Sequence, residues 1–172
     1  MEIPWTAIDQ PVLGREAVVM GSRFELRTAL RSPGFLFYSL RLWRQARRSP
    51  GILGVSLRAH PLTGTFWTLS AWADRSAIYG FARTDPHASA MKRMRPWMKS
   101  ATFRFWSLPA RDITSDTFTP AGLWADAEAR ITGDETITGD ETITGDETIT
   151  GDETITGDET ITGDETITGD ET

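Results

Sequence analysis

A hexapeptide, ITGDET, is repeated seven times without a change from Ile131 to Thr172. The repeat carries one Ile per six residues and no aromatic side chain. It buries too little apolar surface to offset the entropy of ordering, so disorder is expected, with a hexapeptide solenoid as the alternative. All seven Trp, all eight Phe and both Tyr precede Ile131. Any core is therefore built from residues 1–130. The repeat also holds 14 of the 24 acidic residues and none of the 18 basic ones, which leaves residues 1–130 with a net charge of +8. That length suits one domain with its own core.

Several function classes drop out. No apolar run reaches the roughly 18 residues that span a bilayer, and MEIPWTAIDQ is not a signal peptide, so a cytoplasmic protein without a membrane partner is expected. The chain has no Cys and only two His, His60 and His87. Thiolate chemistry and Cys-based zinc sites are excluded, and no metal is expected. The glycine-rich signatures of the common nucleotide-binding loops are absent, as is the GxSxG of serine hydrolases. The basic residues are 16 Arg and two Lys. Arginine-rich composition and solvated helix faces explain them more simply than a nucleic-acid partner, which is not expected. Intramolecular masking of the basic domain by the acidic repeat is a further hypothesis.

Residues 1–15, with Pro4, Pro11 and Gly14, read as an extended arm with Trp5 packed on the domain. Glu16 to Leu26 reads as a strand with a bulge at Gly21. Ser32-Pro33 starts a helix, with Ser32 as N-cap, that runs to about Arg48. Phe35, Leu36, Leu40, Leu42 and Trp43 fall on one broad arc of it. Arg41, Arg44, Gln45 and Arg48 fall on the other side, which makes the helix amphipathic. Ile52 to Leu62 and Thr65 to Ala73 form a hairpin about Leu62-Thr63-Gly64. Asp74 caps a second helical segment. Asp85-Pro86 restarts a helix that Pro96 limits, with His87, Ala90, Met91 and Met94 on one face. Ala101 to Pro109 is the last strand, and Thr119-Pro120 starts a short terminal helix.

The order β-α-β-β-α-β predicts an α+β, ferredoxin-like domain over residues 16–109: a four-stranded antiparallel sheet with two helices on one face. Residues 110–130 form an extension. Large side chains of both parities, among them Phe66, Trp67, Leu69, Trp72, Phe105 and Trp106, leave an apolar second face. Such a patch needs a cover, and a second copy packed sheet to sheet predicts a homodimer.

Three stretches carry a resemblance: SPGFLFYSLRLWRQARRSPGILGVSL, FWTLSAWADRSAIYGFARTDPHASAMKRMRP and FRFWSLP. Over roughly residues 16–109 the chain resembles the dimeric α+β barrel superfamily. It is most similar to small bacterial proteins of the antibiotic-biosynthesis-monooxygenase type and to an uncharacterised domain family, DUF3291. The part from the first helix into the second strand also resembles spheroidene monooxygenase. The resemblance implies a pocket between sheet and helices. It implies one of several activities: cofactor-free oxidation of aromatic molecules, haem binding or degradation, pigment oxidation, or none. The haem-degrading branch has a Trp ten residues before an axial His. Here those positions hold Phe81 and Met91, so its mechanism is not expected. His87 remains one turn before Met91.

His87 is the candidate catalytic residue. In the first turn of a helix the dipole disfavours its charged form, so a neutral imidazole is expected, able to act as base or ligand. The alternative is a His that only orders the helix start. Trp67, Trp72, Tyr79 and Trp106 are candidate stacking surfaces for a flat substrate, or else core. Arg58 is a candidate for holding an acidic oxygen, or else a solvent-facing cation. Met91 is a candidate pocket wall, or else core filler. The expected function is a small monooxygenase-like protein acting on an aromatic or polyene molecule, without a cofactor or with haem. A non-catalytic haem or hydrophobic-ligand binder is the alternative, as is a dimeric interaction module.

Overall fold

The computed structural model describes residues 1–8, 15–114, 119–133 and 143–144. Its strands are β1 (Glu2–Ala7), β2 (Glu16–Leu26), β3 (Ile52–His60), β4 (Thr65–Trp72), β5 (Met98–Pro109) and β6 (Ile143–Thr144). Its helices are α1 (Ser32–Ala46), α2 (Arg75–Arg83), α3 (His87–Met94), α4 (Ala110–Thr114) and α5 (Pro120–Thr132). One antiparallel sheet runs in the order β1-β3-β4-β2-β5-β6. Its four central strands are the expected ferredoxin-like sheet. The two additions lie at the edges. β1 contains Pro4, which an edge strand tolerates because one side of its backbone needs no partner. Most of the ITGDET repeat, for which disorder was expected, lies outside the described residues, as does the stretch 9–14 of the N-terminal arm.

Local chemistry accounts for the helix boundaries. The Asp74 carboxylate accepts from the Ala77 backbone N–H at 2.9 Å and caps α2 as expected. Ser32 does not cap α1. It is the first residue of the helix, and its hydroxyl donates to the Pro61 carbonyl at 2.7 Å, tying α1 to the β3–β4 turn. Pro33 sits in the first turn, where its missing N–H costs nothing.

The sheet is covered on both faces. α1, α2 and α3 lie on one, where Phe35, Ala90 and Met94 meet Phe24, Phe66 and Ala101. Ala46, Ile78 and Phe81 meet Val55, Trp72 and Phe105 beside them. The opposite face is closed by the chain itself. Leu123, Trp124 and Ala127 of α5, with Ala110 and Ile113 of α4, pack on Ala17, Val19, Leu69, Ala71 and Trp106. The expectation of a second copy rested on this face being bare, and α5 occupies that place. No bulge occurs at Gly21: pairing to β4 and β5 runs through it in register, and the β2–β5 shift falls at Glu25/Leu26. Gly21 instead makes room for α5. A Cβ there would stand 3.2 Å from Ile131 Cδ1 and 3.3 Å from Trp106 Cζ3. Ile131 and Thr132, the first two repeat residues, therefore belong to α5. Gly54 plays the same part for the arm, since a Cβ would lie 2.2 Å from the Trp5 indole.

Candidate functional site

The sheet and the helices α1 to α3 enclose a cavity of about 440 Å³. Strand alternation selects its floor. Met20, Ser22 and Phe24 of β2 and Thr68, Ser70 and Trp72 of β4 line it, two residues apart along each strand. Phe35, Ser39, Leu42 and Trp43 of α1 close it above, with spacings of three, four and seven that share one helix face. Phe81 of α2 and His87, Met91 and Met94 of α3 complete the wall. A cavity of this size and apolar character suits one small organic molecule.

Polar groups are few and mostly spoken for. The Ser22 and Thr68 hydroxyls, cross-strand neighbours, hydrogen-bond each other. Ser70 Oγ accepts from Trp72 Nε1 at 2.9 Å, and Ser39 Oγ donates to the Phe35 carbonyl at 2.9 Å. Trp43 differs. Its Nε1 is buried and has no hydrogen-bond partner among the described residues, while the Arg47 guanidinium covers its ring at 4.6 Å. A buried donor left open in a cavity wall favours a ligand that brings an acceptor.

His87 is the one histidine in the lining. Its Nδ1 lies 2.9 Å from the Ala82 carbonyl. A carbonyl only accepts, so Nδ1 carries the proton and Nε2 keeps its lone pair. The ring packs 4.6 Å from that of Phe81. Burial pushes the His87 pKa below the usual 6.5, against the bond to Ala82, which raises it. The neutral form expected from sequence is thus favoured, with desolvation as the leading cause. Asp85 anchors the start of α3 by accepting from the Ser89 backbone N–H at 3.0 Å and from its hydroxyl at 2.6 Å. Exposed Arg83, Lys92 and Arg95 ring the rim.

Of the residues singled out in the sequence, His87, Trp72 and Met91 meet in this cavity. Trp67, Trp106 and Arg58 do not, because their strand parity turns them to the opposite face. The Trp67 ring lies under the Arg23 guanidinium at 5.3 Å. Trp106 packs with α5, and Arg130 lies 5.1 Å from its ring. Arg58 pairs with Glu2 at 3.3 Å and Glu128 at 2.5 Å and stacks on Trp124 at 4.2 Å. It fastens β1 and α5 to the sheet. Tyr79 is half-buried on α2, outside the lining. His60 is exposed at the end of β3. Trp43 and the Ser22–Thr68 pair escaped the sequence reading as site residues. Their signal was present: Ser22 and Thr68 share strand parity with Phe24 and Trp72.

Phe81 and Met91, which replace the haem-degrading signature, both face the cavity. His87 Nε2 is the one imidazole lone pair that this lining offers a haem iron. No group of three or more His, Asp or Glu that could hold a metal ion occurs among the described residues. No helix among them is long and apolar enough to cross a membrane.

No protein-family model matches the chain, and no curated protein does. Solved structures do. SnoaB, a cofactor-independent oxygenase from Streptomyces nogalater, is 16% identical over 54% of this chain and 93% of its own, with a TM-score of 0.46. A candidate antibiotic biosynthesis monooxygenase from Nitrosomonas europaea is 14% identical over 54% of this chain and 88% of its own, with a TM-score of 0.47. A candidate monooxygenase from Fusobacterium nucleatum is 6% identical over 58% of this chain and 46% of its own, with a TM-score of 0.51. At these identities the likeness is one of fold. The chain has an α+β, ferredoxin-like fold, which it shares with the Fusobacterium nucleatum structure.

Proposed function

We propose that the chain is a small monooxygenase-like protein that takes an aromatic or polyene molecule into the cavity between sheet and helices, with His87 as its base. One observation carries this reading: the apolar cavity holds a single imidazole whose tautomer is set by Ala82, leaving Nε2 as a neutral proton acceptor. Phe81, Trp72 and Phe35 supply flat surfaces, and Trp43 Nε1 supplies a donor for a ligand carbonyl or phenolate oxygen. Such a site suits a carbon acid. His87 Nε2 takes a proton from an activated CH₂. The carbanion passes electrons to O₂ and becomes a hydroperoxide, and loss of water leaves a carbonyl. The balance is R₂CH₂ + O₂ → R₂C=O + H₂O, with no outside reductant. Haem and cofactor-free chemistry place different demands on His87, ligand in one and base in the other.

The test is oxygen uptake with an anthrone-type carbon acid, by the full chain and by His87→Ala. Turnover that falls about 100-fold or more in the variant supports the base, since a positioned general base is worth that much. Binding without oxygen uptake in either protein supports the alternative of a hydrophobic-ligand binder. Haem titration followed at the Soret band separates the last case: saturable binding lost in His87→Ala makes His87 a ligand.

A further inference from the structure

A second recess, of about 840 Å³, opens between the C-terminal half of α1 and α2. One wall presents Arg41 and Arg44 of α1 and Arg48 of the turn that follows it, all exposed. Arg41 and Arg44 are neighbours on the surface of α1, three residues apart, and Arg48 follows two residues after the helix ends. None of the three has an ion pair among the described residues. The one acidic group of the lining, Asp74, is already engaged by Ala77 and Ser76 at the start of α2. Gln45 stands among the arginines. Its Nε2 donates to the carbonyls of Phe81 at 3.4 Å and Thr84 at 2.9 Å, while its Oε1 is buried without a partner. The recess thus asks for two things at once: carboxylates for three guanidiniums, and an N–H or O–H donor for a buried oxygen. A bare anion supplies only the first. A peptide with acidic side chains supplies both.

We propose that this recess docks the chain's own acidic repeats, from the four complete copies between residues 149 and 172. Each copy brings an adjacent Asp-Glu pair, flanking Thr hydroxyls and backbone N–H groups. Charge complementarity is strong: the repeat carries 14 acidic residues and no basic one, against a domain of net +8. Reach is ample. The last described residue is Thr144, beside the β5 edge, and 28 residues follow it. At up to ~3.3 Å each they extend about 90 Å, several times the radius of such a domain. Tethering raises the local concentration of acidic segments to the millimolar range, and identical copies offer the recess several equivalent registers. Exposed ion pairs are individually weak, so docking draws on several together and is sensitive to salt.

The lack of Cys makes the test direct. A spin label on Thr154→Cys in the full chain is the only labelled site. At low ionic strength the amide signals of Arg41–Arg48 and of Asp74–Gly80 should lose intensity, and should recover it in about 0.5 M salt, where the Debye length falls to roughly 4 Å. The charge reversal R41E/R44E/R48E should abolish the loss. So should replacing every Asp and Glu of residues 149–172 by Asn and Gln, which leaves the folded domain untouched. Attenuation spread evenly over the domain, or centred on another surface, overturns the proposal. So does attenuation at α1 that survives either set of substitutions.

Discussion

Trp124→Ala tests whether α5 takes the place of a second copy on the sheet. Trp124 is 2% exposed, and it is the largest side chain that α5 sets into the sheet. Its Nε1 donates to Ser56 Oγ at 3.2 Å, and Arg58 stacks on its ring at 4.2 Å. Burying a Trp removes about 150–250 Å² from water, worth roughly 4–6 kcal/mol at ~25 cal/mol per Å². The unfolded chain hides part of that area already, which lowers the figure. Core Trp→Ala losses of about 3–5 kcal/mol bracket the same value. The Ser56 bond adds little, because its hydroxyl keeps the Ile3 carbonyl at 2.8 Å as partner. A loss near 4 kcal/mol is expected, a large share of the ~5–15 kcal/mol that holds a typical domain. In urea, with a slope of about 2 kcal/mol per M, the midpoint should fall by about 2 M. Far-UV circular dichroism is the right probe, since the substitution removes a fluorophore. Sedimentation velocity of the unaltered chain should give the monomer mass of 19.1 kDa. A loss below about 1 kcal/mol would show that α5 is not seated on the sheet. A dimer that Trp124→Ala leaves intact and equally stable would put a second copy there instead.

Two further outcomes follow from the cavity side. Trp43→Phe removes the unpartnered indole donor and keeps an aromatic wall; ligand affinity should fall about fivefold to tenfold, the worth of one hydrogen bond, with the urea midpoint nearly unchanged. An equal loss of affinity and stability would mean that the ring packs the core and does not serve the ligand. Acid should destabilise the fold in two stages. Burial lowers the His87 pKa, so below 6.5 the unfolded chain takes up a proton that the folded one resists, and stability falls until the lower folded value is passed. The carboxylates of Asp74 and Asp85 are held below 3.8, each chiefly by a serine hydroxyl, Ser76 and Ser89. Their contribution is present above 3.8 and is lost as pH falls through their folded values. His87→Gln should remove the first stage and leave the second, as read from urea midpoints between pH 7 and 3. A first stage that persists in His87→Gln would assign it to another group.

The central sheet and its helices were legible because each element announces itself locally. Glu16–Leu26 matches its strand at both ends, and Pro33 and Asp74 mark helix starts by chemistry that needs no tertiary knowledge. What sequence reading missed depends on contacts between distant segments. Gly21 looks like a bulge in isolation, and only the arrival of Ile131 and Trp106 shows why a side chain is excluded. β1 contains a proline and shows no alternation, because pairing with β3 and the docking of Trp5 on Gly54 define it.

Three of the expected site residues, Trp67, Trp106 and Arg58, lie away from the cavity for a reason that parity arithmetic exposes. Trp67 and Trp72 are five residues apart on one strand, so they point to opposite faces and cannot line the same cavity. The ladder extends this test across the sheet, because residues paired directly opposite share a face. Trp106 pairs with Val19, and Val19 with Ala71, which places Trp106 with Trp67 and away from Trp72. The same ladder sets Arg58 beside Trp67 and opposite Glu2, where its charge serves the arm and α5. One choice of register therefore decides all four residues together. It divides the aromatic side chains between two jobs: Phe24, Phe35, Phe81 and Trp72 shape a cavity around His87, while Trp67, Trp106 and Trp124 close the other face. On that second face the cover comes from α4 and α5 of the same chain. The cavity is likewise built wholly from the chain's own strands and helices.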